Sequence, residues 1–158
     1  MNNNLPSWLE QYINIFNNDQ IHHAFIISGS KGIGKSLLIE TLAEKILNNK
    51  ISLNNNPDFY NLKILDEKKL IGISQIHELR DKLYESSFLG KNKVAVINEI
   101  EKISIDGLNA ILKILEEPPK NTYFLLSTNF LNQIPLTIQS RCFDLRISSP
   151  HIKQSLEW

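Results

Sequence analysis

The chain is short of the residues on which several function classes depend. Cys142 is the only cysteine in 158 residues, which excludes an internal disulfide and a cysteine-cluster zinc site and suits a reducing compartment. Arginine is nearly as scarce, since Arg80, Arg141 and Arg146 are the only three among seventeen basic residues. Seventeen acidic residues cancel that charge, so a broad nucleic-acid-binding face is not indicated and any DNA contact must be local or shared with partners. No apolar run approaches the length of a membrane span, and the N-terminus MNNNLPSW has no basic segment followed by an apolar core. These absences lead us to expect a soluble, cytoplasmic protein with a single substantial core.

What is present centres on Ala24 to Leu38, AFIISGSKGIGKSLL. A short apolar run ends there in a glycine-rich turn spelled GxxxxGK[ST], the signature of a phosphate-binding loop. Gly29 and Gly34 are its fixed glycines, Ser30, Lys31, Gly32 and Ile33 fill the free positions, and Lys35 and Ser36 close it. Glycine permits positive φ and close backbone approach, so that successive N–H groups can point at phosphate oxygens beside the positive end of the following helix. The spelling assigns Lys35 to the β- and γ-phosphates and the Ser36 hydroxyl to Mg²⁺. Phe25, Ile26 and Ile27 supply the strand before the loop; Leu38, Leu42 and Ile46 recur at helical spacing after it. The alternative is a glycine-rich turn that holds no ligand.

Upstream, residues 7–17 read as a short amphipathic helix with Ser7 and Glu10 in capping-box spacing. Its role is packing, or presentation of Asn17 to His23 near the base of a nucleotide. His22 and His23 have no partner at ligand spacing and are not read as a metal site. Downstream, Asn48 to Pro57 is a polar, asparagine-rich connection, Phe59 to Leu65 a strand, and Asp66 to Leu70 a charged turn. Ser74 is the expected cap of a helix whose Ile76, Leu79 and Leu83 face inward.

Val94 to Ile97 reads as a central parallel strand, and Asn98 and Glu99 follow it at the edge of an open α/β sheet where ligands bind. A nucleotide hydrolase normally places an aspartate there to hold Mg²⁺ and then an acid that polarises water. Asn98 brings an acceptor oxygen without charge, so it is a weak metal contact, and hydrolysis is expected to suffer; Glu99 remains a possible base. Both residues could equally do no more than end a strand. Ser104 is expected to cap a helix that buries Leu108, Ile111, Leu112 and Leu115, ended by Glu116-Glu117-Pro118-Pro119. Tyr123 to Ser127 is a further buried strand, Asn129 beyond it a candidate γ-phosphate sensor, and Cys142 to Ile147 a last strand. Strands separated by helices imply an α/β fold, a parallel sheet flanked by helices on both faces.

The run GLNAILKILEEPP from Gly107 to Pro119, STN at Ser127 to Asn129, and IPLTIQSRC from Ile134 to Cys142, taken with HHAFIISGSKGIGKS, resemble the AAA+ clamp-loader subunits of bacterial replication. The likeness runs from Leu5 to Pro150 and is nearer to the delta-prime type than to the gamma/tau motor type. It implies a P-loop AAA+ core over residues 1–150 with a truncated tail at 151–158, and ATP with Mg²⁺ as ligands. Implied partners are gamma/tau and delta-type subunits, with the sliding clamp and primer–template DNA reached through the assembled complex and no membrane. It also implies that Arg141 in the SRC segment reaches, in trans, the ATP held by a neighbouring subunit. Three departures shape the expectation. The four cysteines of the family's zinc module are missing from Asn48 to Pro57, so zinc is not expected; Asn98 replaces a motor-type aspartate; and the chain ends before the family's small helical lid, with its arginine, and C-terminal oligomerisation domain.

Two readings compete with an assembly subunit. One is a self-sufficient ATPase using Lys35, Ser36, Glu99 and Asn129 on its own nucleotide, which Asn98 and the missing lid argue against. The other is a small P-loop kinase, which three arginines in all argue against. For Arg141 the alternative to a finger is a surface ion pair with Asp144 or Glu99. No paired carboxylates suited to nucleotidyl transfer stand in the chain.

Overall fold

The structure is a computed structural model and describes residues 5–17 and 21–149, the side chains of Phe16 and Asn17 excepted. Five parallel strands make one sheet: β1 (Ala24–Ser28), β2 (Phe59–Leu62), β3 (Lys93–Ile97), β4 (Thr122–Thr128) and β5 (Phe143–Arg146), in the order β2-β3-β4-β1-β5. β1 and β3 are buried along their whole length, because strands covered on both faces have no polar side to show. Alternate side chains divide between two cores. Ala24, Ile26, Ala95, Ile97, Phe124 and Leu126 point to one face, and Phe25, Ile27, Val94, Val96 and Leu125 to the other.

Helices α1 (Ser7–Ile13) and α2 (Lys35–Leu47) cover the second face. Helices α3 (Ile73–Tyr84), α4 (Ile105–Glu116) and the single turn α5 (Leu136–Gln139) cover the first. A parallel bridge between Ile71 and Ile103 starts α3 and α4 side by side. Two buried charges seal the opposite end of the sheet. Asp58 accepts from the backbone N–H groups of Phe88 and Leu89 at 2.8 and 2.9 Å, and the Lys93 ammonium donates to the carbonyls of Leu83 and Glu85 where α3 ends. Among the described residues no helix is long and apolar enough to cross a membrane.

Several expectations are corrected in detail. Ser7 is the first residue of α1 and caps nothing; Pro6 holds the cap position, and the segment continues as a 3-10 turn over Asn14–Asn17. Ser74 lies inside α3, which starts after Gly72, and the reciprocal bond comes from the Gly72 N–H to the Gln75 side chain at 3.2 Å. Ser104 does cap α4, its hydroxyl accepting from the Gly107 N–H. On α4, Ile111, Ile114 and Leu115 are buried, whereas Leu108 and Leu112 are only half-buried. Ile114 lay outside the expected stripe because the sheet and α3 together demand a wider apolar face than one row of side chains. β2 stops at Leu62, three residues early, because β3 turns away beyond its partner Ile97.

Candidate nucleotide site

Parallel pairing of β1 with β4 sets Ser28 level with Thr128, so the loop after β1 and Asn129 after β4 emerge side by side. β3 pairs Ile97 with Leu126 and delivers Asn98 and Glu99 to the same edge. Lys31, Gly32, Gly34, Lys35, Ser36, Asn98, Glu99 and Asn129 therefore converge, while Arg141 and His23 do not join them; the side chain of Asn17 lies outside the described residues. His23 is turned away: its Nε2 meets the Leu115 carbonyl at 3.2 Å and its ring stacks on His22. Burial lowers the His23 pKa, His22 lowers it further, and the Leu115 carbonyl opposes them.

Two glycines of the loop are dictated by their surroundings. A side chain on Gly29 would start 3.0 Å from the Ile147 carbonyl, where the chain leaves β5. Gly34 has φ +99 and would press a Cβ to 2.9 Å from the Leu9 side chain, so α1 packs directly on the turn that opens α2. Ile33 is buried in the core that α1 and α2 cover. α2 begins at Lys35 with no side-chain cap, which leaves the first N–H groups of a helix unpaired and facing the cleft. A cleft of about 630 Å³ lies over this end, lined by Lys31, Lys35, Ser36, Asn98, Glu99 and Asn129 among others.

Lys35 is folded back onto its own loop. Its ammonium donates at 2.8 Å to the Gly29 carbonyl, the Ser30 carbonyl and Asn129 Oδ1. Burial lowers its pKa, and the charges of Glu101 and Glu99 oppose that shift. Asn129 is oriented in turn by acids: its backbone N–H reaches Glu101 Oε1 at 3.2 Å, and its Nδ2 lies 3.4 Å from Glu99 Oε1 and 3.5 Å from Glu101 Oε1. Among the described residues the other Glu101 oxygen is buried with no hydrogen-bond partner. Ser127 joins the two strand ends, donating to Asn98 Oδ1 at 3.3 Å and accepting from the Glu99 N–H at 3.2 Å. Glu99 adopts φ +54 and pairs with Lys102 at 2.7 Å.

The donor set fits a phosphate chain. Free helix N–H groups, Lys31 and Lys35 are groups that could meet anionic oxygens, and the exposed Ser36 sits one residue into the helix. The fit to Mg²⁺ is thinner, since the position facing the cleft from β3 is an amide already sharing its oxygen with Ser127. Glu101 and Ser127 escaped the sequence reading. The signal for Glu101 was there, a second acid two residues after Glu99 in NEIEK.

Arg141 stands apart, after α5. Its Nη2 pairs with Glu116 Oε1 at 2.6 Å, and Nη1 donates to the Thr137 carbonyl at 2.7 Å and to Ser140 Oγ at 3.3 Å. An ion pair with Asp144 or Glu99, the alternative to a finger, is not the one formed. Asp144 is taken by Arg146 and Glu99 by Lys102, because α4 ends beside α5 and brings Glu116 within reach.

Comparison with known proteins agrees with this geometry. Residues 5–151 match the family described as DNA polymerase III, delta subunit. The chain belongs to that family. It is 30% identical over 165 residues to the DNA polymerase III subunit delta' of Buchnera aphidicola (Schizaphis graminum), covering 94% of this chain and 50% of that protein. It is 32% identical to the gamma subunit of the same organism, over 85% of this chain and 40% of the relative. A crystal structure of a DNA polymerase III gamma subunit-related protein from Thermotoga maritima superposes with a TM-score of 0.75 at 25% identity, covering 95% of this chain and 49% of that one. The chain thus spans about half the length of the delta' relative it matches. The family membership and the parallel sheet make it a delta-prime-type chain with a P-loop AAA+ core.

Proposed function

We propose that this chain is a nucleotide-competent assembly subunit of a clamp loader, which binds ATP at Gly29–Ser36, turns it over poorly on its own, and donates Arg141 to a neighbouring ATPase subunit. The observation that supports weak turnover is Asn98, whose amide stands where a hydrolase needs a charge and is tied to Ser127. Glu99, held by Lys102 and Asn129, would polarise a water, yet the position before it, which would help to hold the metal that organises that water, is the Asn98 amide and not a carboxylate. Support for binding comes from the open cleft and the loop geometry described above. Mg²⁺, when bound with the nucleotide, would neutralise phosphate charge, with Ser36 as its protein contact.

A trans role for Arg141 is supported by its place: it does not line the cleft over Lys35 and Ser36 and lies at the surface between α4 and α5. A guanidinium suits the task, being permanently charged and able to meet phosphate oxygens through a planar fork. Fingers supplied in trans are worth about 10³ to 10⁵ in rate. The test is ATP hydrolysis by a loader reconstituted with full-length partner subunits, clamp and primed DNA. Arg141→Ala should assemble normally and bind ATP normally, while stimulated hydrolysis falls by about three orders of magnitude or more. Wild-type hydrolysis by a loader shown to contain the variant would refute the finger, and turnover by the isolated subunit at motor-enzyme rates would refute the assembly role.

A further inference from the structure

The Arg141 guanidinium is held by its own chain, and the way it is held points to a second residue. Its backbone is set by a turn: the Arg141 N–H reaches the Ile138 carbonyl at 3.0 Å, and Gln139 anchors the preceding segment through the carbonyls of Leu131 and Ile134. From that base the side chain runs to the end of α4. Glu116 Oε1 takes an Nη2 proton, and the Thr137 carbonyl and Ser140 Oγ take the Nη1 protons. Among the described residues, no hydrogen bond engages Nε. An arginine side chain has several rotors and would otherwise sample many orientations, so three acceptors on one end of the fork define its plane and leave the Nε side open.

We propose that Glu116 is a positioning residue for Arg141, orienting the guanidinium so that its Nε edge faces the phosphates of a nucleotide held by a neighbouring subunit. This rests on the trans reading given above and adds to it the residue that prepares the finger. The pair is an unpromising device for stability. Its side chains are 34% and 42% exposed, and exposed pairs of that kind contribute little to folding. Orientation is another matter, because a charged group displaced by an ångström can forfeit much of its effect on a reaction. Glu116 also stands at a fixed point of the fold, with Glu117 beside it accepting from the Tyr84 hydroxyl at 2.8 Å and two prolines ending the helix.

The test uses the reconstituted loader with the full-length subunit carrying Glu116→Ala, Glu116→Gln, Arg141→Ala and the double variant. Glu116→Ala should leave thermal stability and assembly unchanged and lower stimulated kcat roughly 10- to 100-fold at constant KM. Glu116→Gln, which keeps the acceptor, should recover most of that loss. In the Arg141→Ala background, removing Glu116 should cost nothing further. The exchanged pair Glu116→Arg with Arg141→Glu should keep stability without restoring hydrolysis. Wild-type kcat for Glu116→Ala, in a loader where Arg141→Ala is impaired, overturns the positioning role and leaves the finger standing. A further loss on adding Glu116→Ala to Arg141→Ala also overturns it. No effect of Arg141→Ala overturns both.

Discussion

The folded-back Lys35 makes a quantitative prediction about nucleotide preference. Its three protons are shared among two carbonyls of the loop and Asn129 Oδ1, all at 2.8 Å. When a phosphate chain enters, the Gly29 and Ser30 carbonyls remain beside the lysine because they belong to the same loop. Asn129 belongs to β4's end, so the bond exchanged for a phosphate oxygen is the one to its side chain. A hydrogen bond to a charged group contributes about 1.5–3 kcal/mol, and Lys35 is only partly removed from water, so solvent screening reduces the expected value to about 1–1.5 kcal/mol. Asn129→Ala removes that competing bond from the free protein. The dissociation constant for ADP, which has no γ-phosphate for Asn129 to meet, should therefore fall roughly 5- to 10-fold. ATP should gain less, since the same side chain is the candidate contact to its third phosphate. Titration of fluorescent ADP and ATP analogues against both proteins measures the two changes. An unchanged or weakened ADP affinity, with the variant folded, would show that Lys35 keeps Asn129 in the bound state and that no such competition exists.

Other outcomes are as readily measured. Ile111→Ala should lower unfolding free energy in urea by about 2–5 kcal/mol, and Leu112→Ala by clearly less, because Ile111 is fully buried and Leu112 is not. Burial holds the His23 pKa below its ordinary 6.5; the stability linked to neutral His23 is present above 6.5 and is lost as pH falls through the depressed value. His23→Gln should therefore flatten the decline in melting temperature between pH 7 and pH 5. Burial pushes the Cys142 thiol up to about 12, so at pH 8 iodoacetamide should modify it about 10³-fold more slowly than a free thiol. The linked stability, full below the unfolded thiol's pKa, is lost as pH rises from there towards 12.

The fold was legible because its strongest signals are local. β1 and β3 are unbroken apolar runs, and the loop between β1 and α2 has a spelling that few other structures need. What periodicity could not supply was the width of α4's buried face: Ile114 is buried in the core shared with α3 and the sheet, a contact between segments remote in sequence. Caps failed at α1 and α3 for a related reason. Ser7 and Ser74 are good cap residues, but Pro6 and Gly72 come first in the chain and already provide the turn that starts each helix.

The site was legible as a set of positions and illegible as a network. Gly29, Lys35, Asn98, Glu99 and Asn129 could each be placed at one sheet edge from strand ends alone, because parallel register brings those ends together. Which side chain holds which is decided by distances of tenths of an ångström between segments remote in sequence. Glu101 is the clearest case. NEIEK shows that a second acid is there, but not that it turns inward to accept from the Asn129 backbone, leaving one buried oxygen with no hydrogen-bond partner among the described residues. Yet that contact is what aims the Asn129 oxygen at Lys35, since both of its amide protons face carboxylates. The same logic governs Arg141. Its place could be read from the chain, but Glu116, twenty-five residues earlier, becomes its partner only because α4 and α5 end side by side. An orphaned carboxylate oxygen beside the lysine is costly to bury, and the charge it brings offsets the burial that lowers the Lys35 pKa. Glu101 therefore helps to keep Lys35 protonated, the state in which it can meet a phosphate.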